Sequence, residues 1–162
     1  MKHLLLAACL ITLPAQQAVA LSCLRPTIES AFMTHSEAAE TYILVLGELV
    51  NKRNVIPGRG ETETEIAGGE SYVATFTGYQ STRSGFDKPI EVPVAVKGTC
   101  LASWCGGVNA DVEMITFLEK TPFGYTLKEG PCGGTVFYNP DKDMKRRALR
   151  CLRGGICIPK NR

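Results

Sequence analysis

The amino-acid sequence predicts a mainly β protein: a small curved barrel of about five strands, with a short helical turn before it and a helix after it. Three observations lead to this prediction. Most of the chain consists of short runs rich in β-branched and aromatic residues, separated by turn residues. A glycine interrupts the first of these runs, which indicates a bulge or a bend. Six cysteines outside an N-terminal leader indicate a disulfide-bonded fold.

The first 20 residues have the pattern of an export signal. A short basic start precedes an apolar run over residues 4–13, and Ala18 and Ala20 are small residues at the two positions that a signal peptidase reads. The run is shorter than the roughly 20 residues that a membrane-spanning helix needs. We therefore expect an exported protein, periplasmic or extracellular, without a membrane span. Residues 21–162 are expected to form a single domain.

The exact cleavage point has chemical consequences at the new N-terminus. Cleavage after Ala20 would make Leu21 the first residue, and the sequence favours this site. Cleavage after Ser22 would instead leave Cys23 with a free amino group. Both alternatives stay open from the sequence.

An even set of cysteines remains once the leader, with its own Cys9, is set aside. The set comprises Cys23, Cys100, Cys105, Cys132, Cys151 and Cys157. It contains no Cys-x-x-Cys pair and no accompanying histidine pair, so that disulfides are favoured over a zinc site.

The N-terminal half contains a helical segment and one long strand. Residues 26–33 predict a turn or short helix, and Ser36 resembles an N-cap that begins one further turn over residues 37–40. Residues 41–50 are rich in β-formers and contain Gly47. The polar residues 51–69 predict a long loop or a protruding hairpin.

The remaining strands are shorter and are separated by clear turn signals. Residues 72–79 form one predicted strand, and residues 90–96 alternate between apolar and other residues as a half-buried strand does. Residues 112–121 and 125–127 predict a hairpin, and residues 135–138 predict the last strand.

The C-terminal region predicts a helix that packs on the barrel. Asn139, Pro140 and Asp141 resemble an N-cap, a first helical position and an acid near the positive end of the helix dipole. Gly154 and Gly155 would end the helix. Its apolar stripe consists of Met144, Ala148, Cys151 and Leu152.

The sequence lacks the residues of a typical catalytic site. His35 is the single histidine after the leader, and its place near a predicted helix start favours a structural role. No phosphate-binding glycine motif is present. We therefore expect no catalytic residue, no cofactor, no bound metal and no enzymatic activity.

Charge is balanced overall but is unevenly distributed. The chain without its leader is almost neutral, which argues against a nucleic-acid partner. Residues 61–70 are acidic and the last helix is basic. Such runs are usually solvated faces. The alternative is attachment to anionic lipid or polysaccharide of a cell envelope through Arg146, Arg147, Arg150 and Arg153.

The order of elements resembles that of netrin-like modules, the domain type of the tissue inhibitors of metalloproteinases. The resemblance is carried by Cys23 and residues 39–49, by Trp104-Cys105-Gly106 and residues 130–133, and by the concluding helix. It implies an oligonucleotide/oligosaccharide-binding (OB) type of barrel. It also implies that Cys23 bonds to Cys100 or Cys105, that the other of these bonds to Cys132, and that Cys151 bonds to Cys157.

The resemblance further implies a binding function for the N-terminal segment. In the animal inhibitors, the first residue is a cysteine whose amino group and carbonyl chelate the zinc of the target. Here Arg25 stands where a second cysteine is expected, and Leu21 and Ser22 would precede Cys23. The sequence therefore favours a monomeric, non-enzymatic binding domain that uses Leu21, Ser22 and Cys23, for instance as an inhibitor of a protease or another hydrolase.

Overall fold

The structure, a computed structural model, describes residues 22–58 and 68–159. The predicted export signal, Leu21, most of the acidic stretch and residues 160–162 lie outside this range. The fold is mainly β, as predicted, with two helices and a six-stranded sheet. Neither helix in the described ranges is long and apolar enough to cross a bilayer.

Ten elements follow one another in residues 22–58 and 68–159. They are α1 (Ile28–Glu37), β1 (Tyr42–Ile56), β2 (Ser71–Ser81), β3 (Phe86–Gly98), β4 (Cys100–Leu101), β5 (Trp104–Cys105), β6 (Met114–Thr121), β7 (Gly124–Glu129), β8 (Val136–Tyr138) and α2 (Lys142–Leu152). The large sheet has the order β1-β2-β3-β7-β6-β8, and β1 pairs with β6 as well as with β2. Its neighbouring strands are antiparallel except for β3 and β7. A separate hairpin consists of β4 and β5.

The first strand is longer than the sequence predicts. It continues past Val50 to Ile56, with register shifts against β2 over this extension. Asn51 and Asn54 adopt positive φ angles of 56° and 53° there, a conformation that asparagine tolerates better than most residues. Because residues 51–56 are solvent-exposed, they lack the apolar alternation that reveals a strand.

The helix predicted from residues 26–33 is confirmed as α1, but the predicted N-caps Ser36 and Asn139 are wrong. Thr27 caps α1 and forms a reciprocal capping box with Ser30, whereas Ser36 lies inside the helix and donates a hydrogen bond to the carbonyl of Met33. Asp141, not Asn139, caps α2: its Oδ1 accepts a hydrogen bond from the backbone N–H of Met144 at 2.6 Å.

The core has two parts, on the two faces of β1 and β6. Successive residues of a strand point to opposite faces of the sheet. Val45 and Met114 therefore belong to a cluster formed mainly by residues of the strands, whereas Leu44 and Ile115 belong to a cluster that faces the helices. The helix-facing cluster also contains Ile28, Ala31, Phe117, Phe137 and Ala148. The two helices therefore cover one side of the sheet.

Gly47 marks a close approach of β1 and β2 rather than a bulge. It pairs directly with Gly78 without a register shift at that point. A Cβ atom added at Gly47 would lie 2.2 Å from the carbonyl oxygen of Thr77. A side chain at this position would therefore push the two strands apart.

One side of β3 is only partly paired. Its residues 94–98 pair with β7, whereas residues 86–93 have β2 on one side and no strand of the described chain on the other. The carbonyl of Pro93 points towards the β7 side, 3.9 Å from where a Cβ would stand at Gly124. The backbone of Pro89, four residues earlier, points to the same side of the strand.

Candidate functional site

Three disulfides join all six cysteines of the predicted set. Cys151 bonds to Cys157, as the family resemblance implies. The other two implied pairings are wrong, because Cys23 bonds to Cys132 and Cys100 bonds to Cys105. The β4–β5 hairpin explains the difference: Cys100 and Cys105 are direct cross-strand partners, with Cα atoms 4.0 Å apart.

The Cys23–Cys132 bond fixes the N-terminal segment, residues 22–26, against the loop of residues 130–134. Pro26 lies against this loop, with its Cγ 3.6 Å from where a Cβ would stand at Gly133. Gly133 adopts a φ of 71°, which favours glycine. Leu24, beside the disulfide, is 94% exposed. The disulfide thus anchors the backbone next to Leu24, whose apolar side chain is exposed to solvent.

The side chain of Glu129 fixes the loop of residues 130–134 through hydrogen bonds to its backbone and to the residues that follow it. Its buried carboxylate accepts hydrogen bonds from the backbone N–H groups of Gly130, Thr135 and Val136, at 3.1, 3.3 and 2.8 Å. These bonds fix both ends of the loop that carries Cys132. Burial raises the pKa of Glu129, although the three N–H donors oppose the effect.

The raised pKa of Glu129 predicts a pH-dependent contribution to stability. The carboxyl favours folding most when it is protonated, below its ordinary pKa of about 4.5, and this contribution is lost as the pH rises through the raised value. The free energy of unfolding of the wild type, relative to that of Glu129→Gln, should therefore fall as the pH rises from the ordinary pKa of about 4.5 through the raised pKa of Glu129. Urea denaturation across this range measures it. Exposed Glu91→Gln is the control, and a difference that stays constant or rises with pH would contradict the prediction.

The β4–β5 hairpin stands next to this loop. Gly106, directly after Cys105, packs so closely on the backbone that an added Cβ would lie 2.3 Å from the carbonyl oxygen of Glu129. Leu101 and Trp104 are cross-strand partners in the hairpin, and each is more than half exposed. We call the N-terminal segment 22–26, the loop 130–134 and the hairpin 100–105 together the N-terminal edge.

The N-terminal edge includes two of the three residues predicted to bind a partner. Ser22 and Cys23 lie in it, whereas Leu21 lies outside the described residues. The sulfur of Cys23 is bonded to Cys132 and offers no free thiol. Sequence reasoning missed Leu101 as a candidate, because an exposed leucine cannot be told from a buried one in so short a strand.

His35 has a structural role. Its ring stacks on Phe117 with centroids 4.3 Å apart, and Nδ1 lies 2.7 Å from the carbonyl oxygen of Ala31. Burial lowers the pKa of His35, so that the ring is neutral at neutral pH and Nδ1–H donates to Ala31. Among residues 22–58 and 68–159, no group of three or more histidine, cysteine or acidic side chains is arranged to hold a metal ion.

The four arginines proposed for anion binding all have acceptors within the chain. Arg146 and Arg147 pair with Asp143, and Arg147 also pairs with Glu29 at 2.7 Å. Arg150 lies 3.5 Å from Glu29, whereas Arg153 donates to backbone carbonyls of the loop before β3. The side of α2 that carries Arg147 is thus directed towards the protein.

Three aromatic residues of the strands, Tyr72, Tyr79 and Trp104, have separate surroundings. Tyr72 is buried, and its hydroxyl donates to the carbonyl of Val108 at 2.7 Å. Tyr79 is about half exposed and borders a shallow cleft of about 380 Å³ that Pro89 and Glu91 also line. Trp104 belongs to the N-terminal edge, and the three rings do not form one site.

Comparisons with protein-family models, with curated proteins and with solved structures found no match to this chain.

Proposed function

We propose that the fold is an OB-like barrel of the netrin-like type, and that the protein is an exported, non-enzymatic binding domain. The circuit of strand pairings supports the barrel. The strand β1 pairs with β2, β2 with β3, β3 with β7, β7 with β6, and β6 again with β1. Five strands that pair in such a circuit have no free end strand, which is the arrangement of a closed barrel.

The N-terminal edge is the proposed binding surface, and its target is a hydrolase such as a protease. The observation that carries this proposal is the exposure of Leu24, Leu101 and Trp104 on backbone that two disulfides hold in place. Exposed apolar and aromatic side chains on rigid backbone lose little conformational entropy when a partner covers them. Tryptophan in particular is enriched among the residues that dominate binding energy.

Contact with the target would rely on packing unless Cys23 is the first residue of the processed chain. Direct zinc chelation needs the free amino group of Cys23, which Ser22 would block. Inhibition of a zinc protease by chain forms that begin at Leu21 and at Cys23 distinguishes the two mechanisms. Packing predicts equal inhibition by both forms, whereas chelation predicts inhibition by the form that begins at Cys23.

The test is inhibition and direct binding against purified periplasmic and extracellular proteases of the zinc, serine and cysteine classes. Trp104→Ala should weaken a detected interaction by about thirtyfold, as expected for the loss of a central aromatic contact. Phe123→Ala is the control, because Phe123 is an even more exposed aromatic residue that lies in the β6–β7 turn. Absence of binding to every protease, or an equal loss with Phe123→Ala, would contradict the proposal.

A further inference from the structure

The loop that follows α2 is held rigidly. The Cys151–Cys157 disulfide closes it, and the backbone N–H of Gly155 donates to the carbonyl of Arg150 at 3.0 Å. Its far end is fixed to the other helix, since the sulfur of Cys157 lies 3.7 Å from the carbonyl oxygen of Glu29. Side chains on this loop therefore keep defined positions.

Two isoleucines point from this rigid loop into solvent. Ile156 and Ile158, on either side of Cys157, are 74% and 68% exposed. Ile156 lies inside the ring that the Cys151–Cys157 disulfide closes, and Ile158 directly follows that ring, so that both are anchored through Cys157. The apolar pair is thus displayed as a constant feature of the surface.

Arginines lie at the end of α2 and in the segment that it contacts, next to the loop that carries the isoleucines. Arg153 donates from Nε to the carbonyl of Arg83 at 2.7 Å, which places the loop before β3 beside the end of α2. Arg150 lies beneath the loop with its side chain 44% exposed. The nearby carboxylate of Glu29 is fully buried, whereas Asp87 is exposed and accepts from Thr82. Positive charge therefore prevails around the apolar pair.

We propose that the C-terminal patch, formed by Ile156, Ile158, Arg83, Arg150 and Arg153, binds the surface of an anionic lipid bilayer. Cations attract anionic headgroups, and two isoleucines enter the boundary between headgroups and acyl chains. An anionic polysaccharide would use the charges but leave the isoleucines in water, so that a bilayer fits the patch better. This inference does not depend on the N-terminal edge.

The experiment is cosedimentation of the full chain, produced by export and checked by mass for three disulfides, with lipid vesicles. Binding is expected to vesicles that contain phosphatidylglycerol and to be much weaker with phosphatidylcholine alone. Combined Ile156→Ser and Ile158→Ser substitutions should lower the partition coefficient at least about tenfold, and Arg83→Glu should lower it about tenfold. These side chains are exposed, so thermal unfolding should be unchanged.

Matched substitutions elsewhere are the controls. Ile56→Ser removes another exposed isoleucine at the end of β1, and Lys97→Glu reverses another exposed cation; neither should change vesicle binding. No binding to phosphatidylglycerol vesicles, or binding that the double isoleucine variant retains, would overturn the proposal. Self-association or polysaccharide binding through the patch without vesicle binding would also overturn it.

Discussion

Replacing Arg147 with alanine is expected to lower the free energy of unfolding by about 3–5 kcal/mol at neutral pH. Glu29 of α1 is fully buried, and its closest cation is Arg147 of α2, with Nη1 2.7 Å from Oε2. Removal of the guanidinium leaves a buried carboxylate whose remaining ion-pair contact, among the residues that the structure describes, is Arg150 at 3.5 Å. Urea denaturation followed by circular dichroism measures the loss.

Two further variants separate this effect from general damage to α2. Arg146→Ala removes an exposed arginine that pairs with Asp143, and it should cost less than about 1 kcal/mol. The double variant Glu29→Leu with Arg147→Met replaces the buried pair by apolar side chains and should recover most of the loss. Equal losses from Arg147→Ala and Arg146→Ala would show that the buried pair has no special role.

Removal of the Cys23–Cys132 bond by two serine substitutions is expected to lower the free energy of unfolding by about 4–5 kcal/mol. The reason is the length of the closed loop: the two cysteines are 109 residues apart. Without the bond, the unfolded chain gains much conformational freedom. Chemical denaturation of the purified variant, with the other two disulfides verified by mass, gives the value.

The β4–β5 hairpin provides the comparison. Cys100 and Cys105 are 5 residues apart, and on the same chain-entropy argument their bond contributes about 2 kcal/mol. The hairpin variant should therefore be clearly more stable than the variant that lacks the Cys23–Cys132 bond. Equal losses would mean that loop closure does not explain the contribution of the long-range disulfide.

The sequence was most informative where a local pattern determines local structure. The alternation over residues 90–96 correctly predicted part of β3, and the apolar stripe of Ala148 and Cys151 correctly predicted the buried face of α2. Capping was less predictable, because several hydroxyl and acidic residues near each helix could serve as the N-cap. The helix that begins after Thr27 was predicted, whereas its continuation through Ser36 to Glu37 was not.

Long-range features could not be read from the sequence. Glu29 and Arg147 are 118 residues apart, and no local pattern relates them. The pairing of Cys23 depends on which loop lies beside it, and the strands of the small hairpin are too short for a periodic signal. The N-terminal edge could therefore be predicted only in its first segment, from Ser22 and Cys23.

The prolines on the partly paired side of β3 have a consequence for how the protein behaves when concentrated. An unpaired strand normally offers N–H groups to which a neighbouring molecule can add a strand, a first step towards fibrils. Pro89 and Pro93 remove two of these donors within five residues. These two prolines therefore disfavour the addition of a strand from another molecule along the unpaired part of β3.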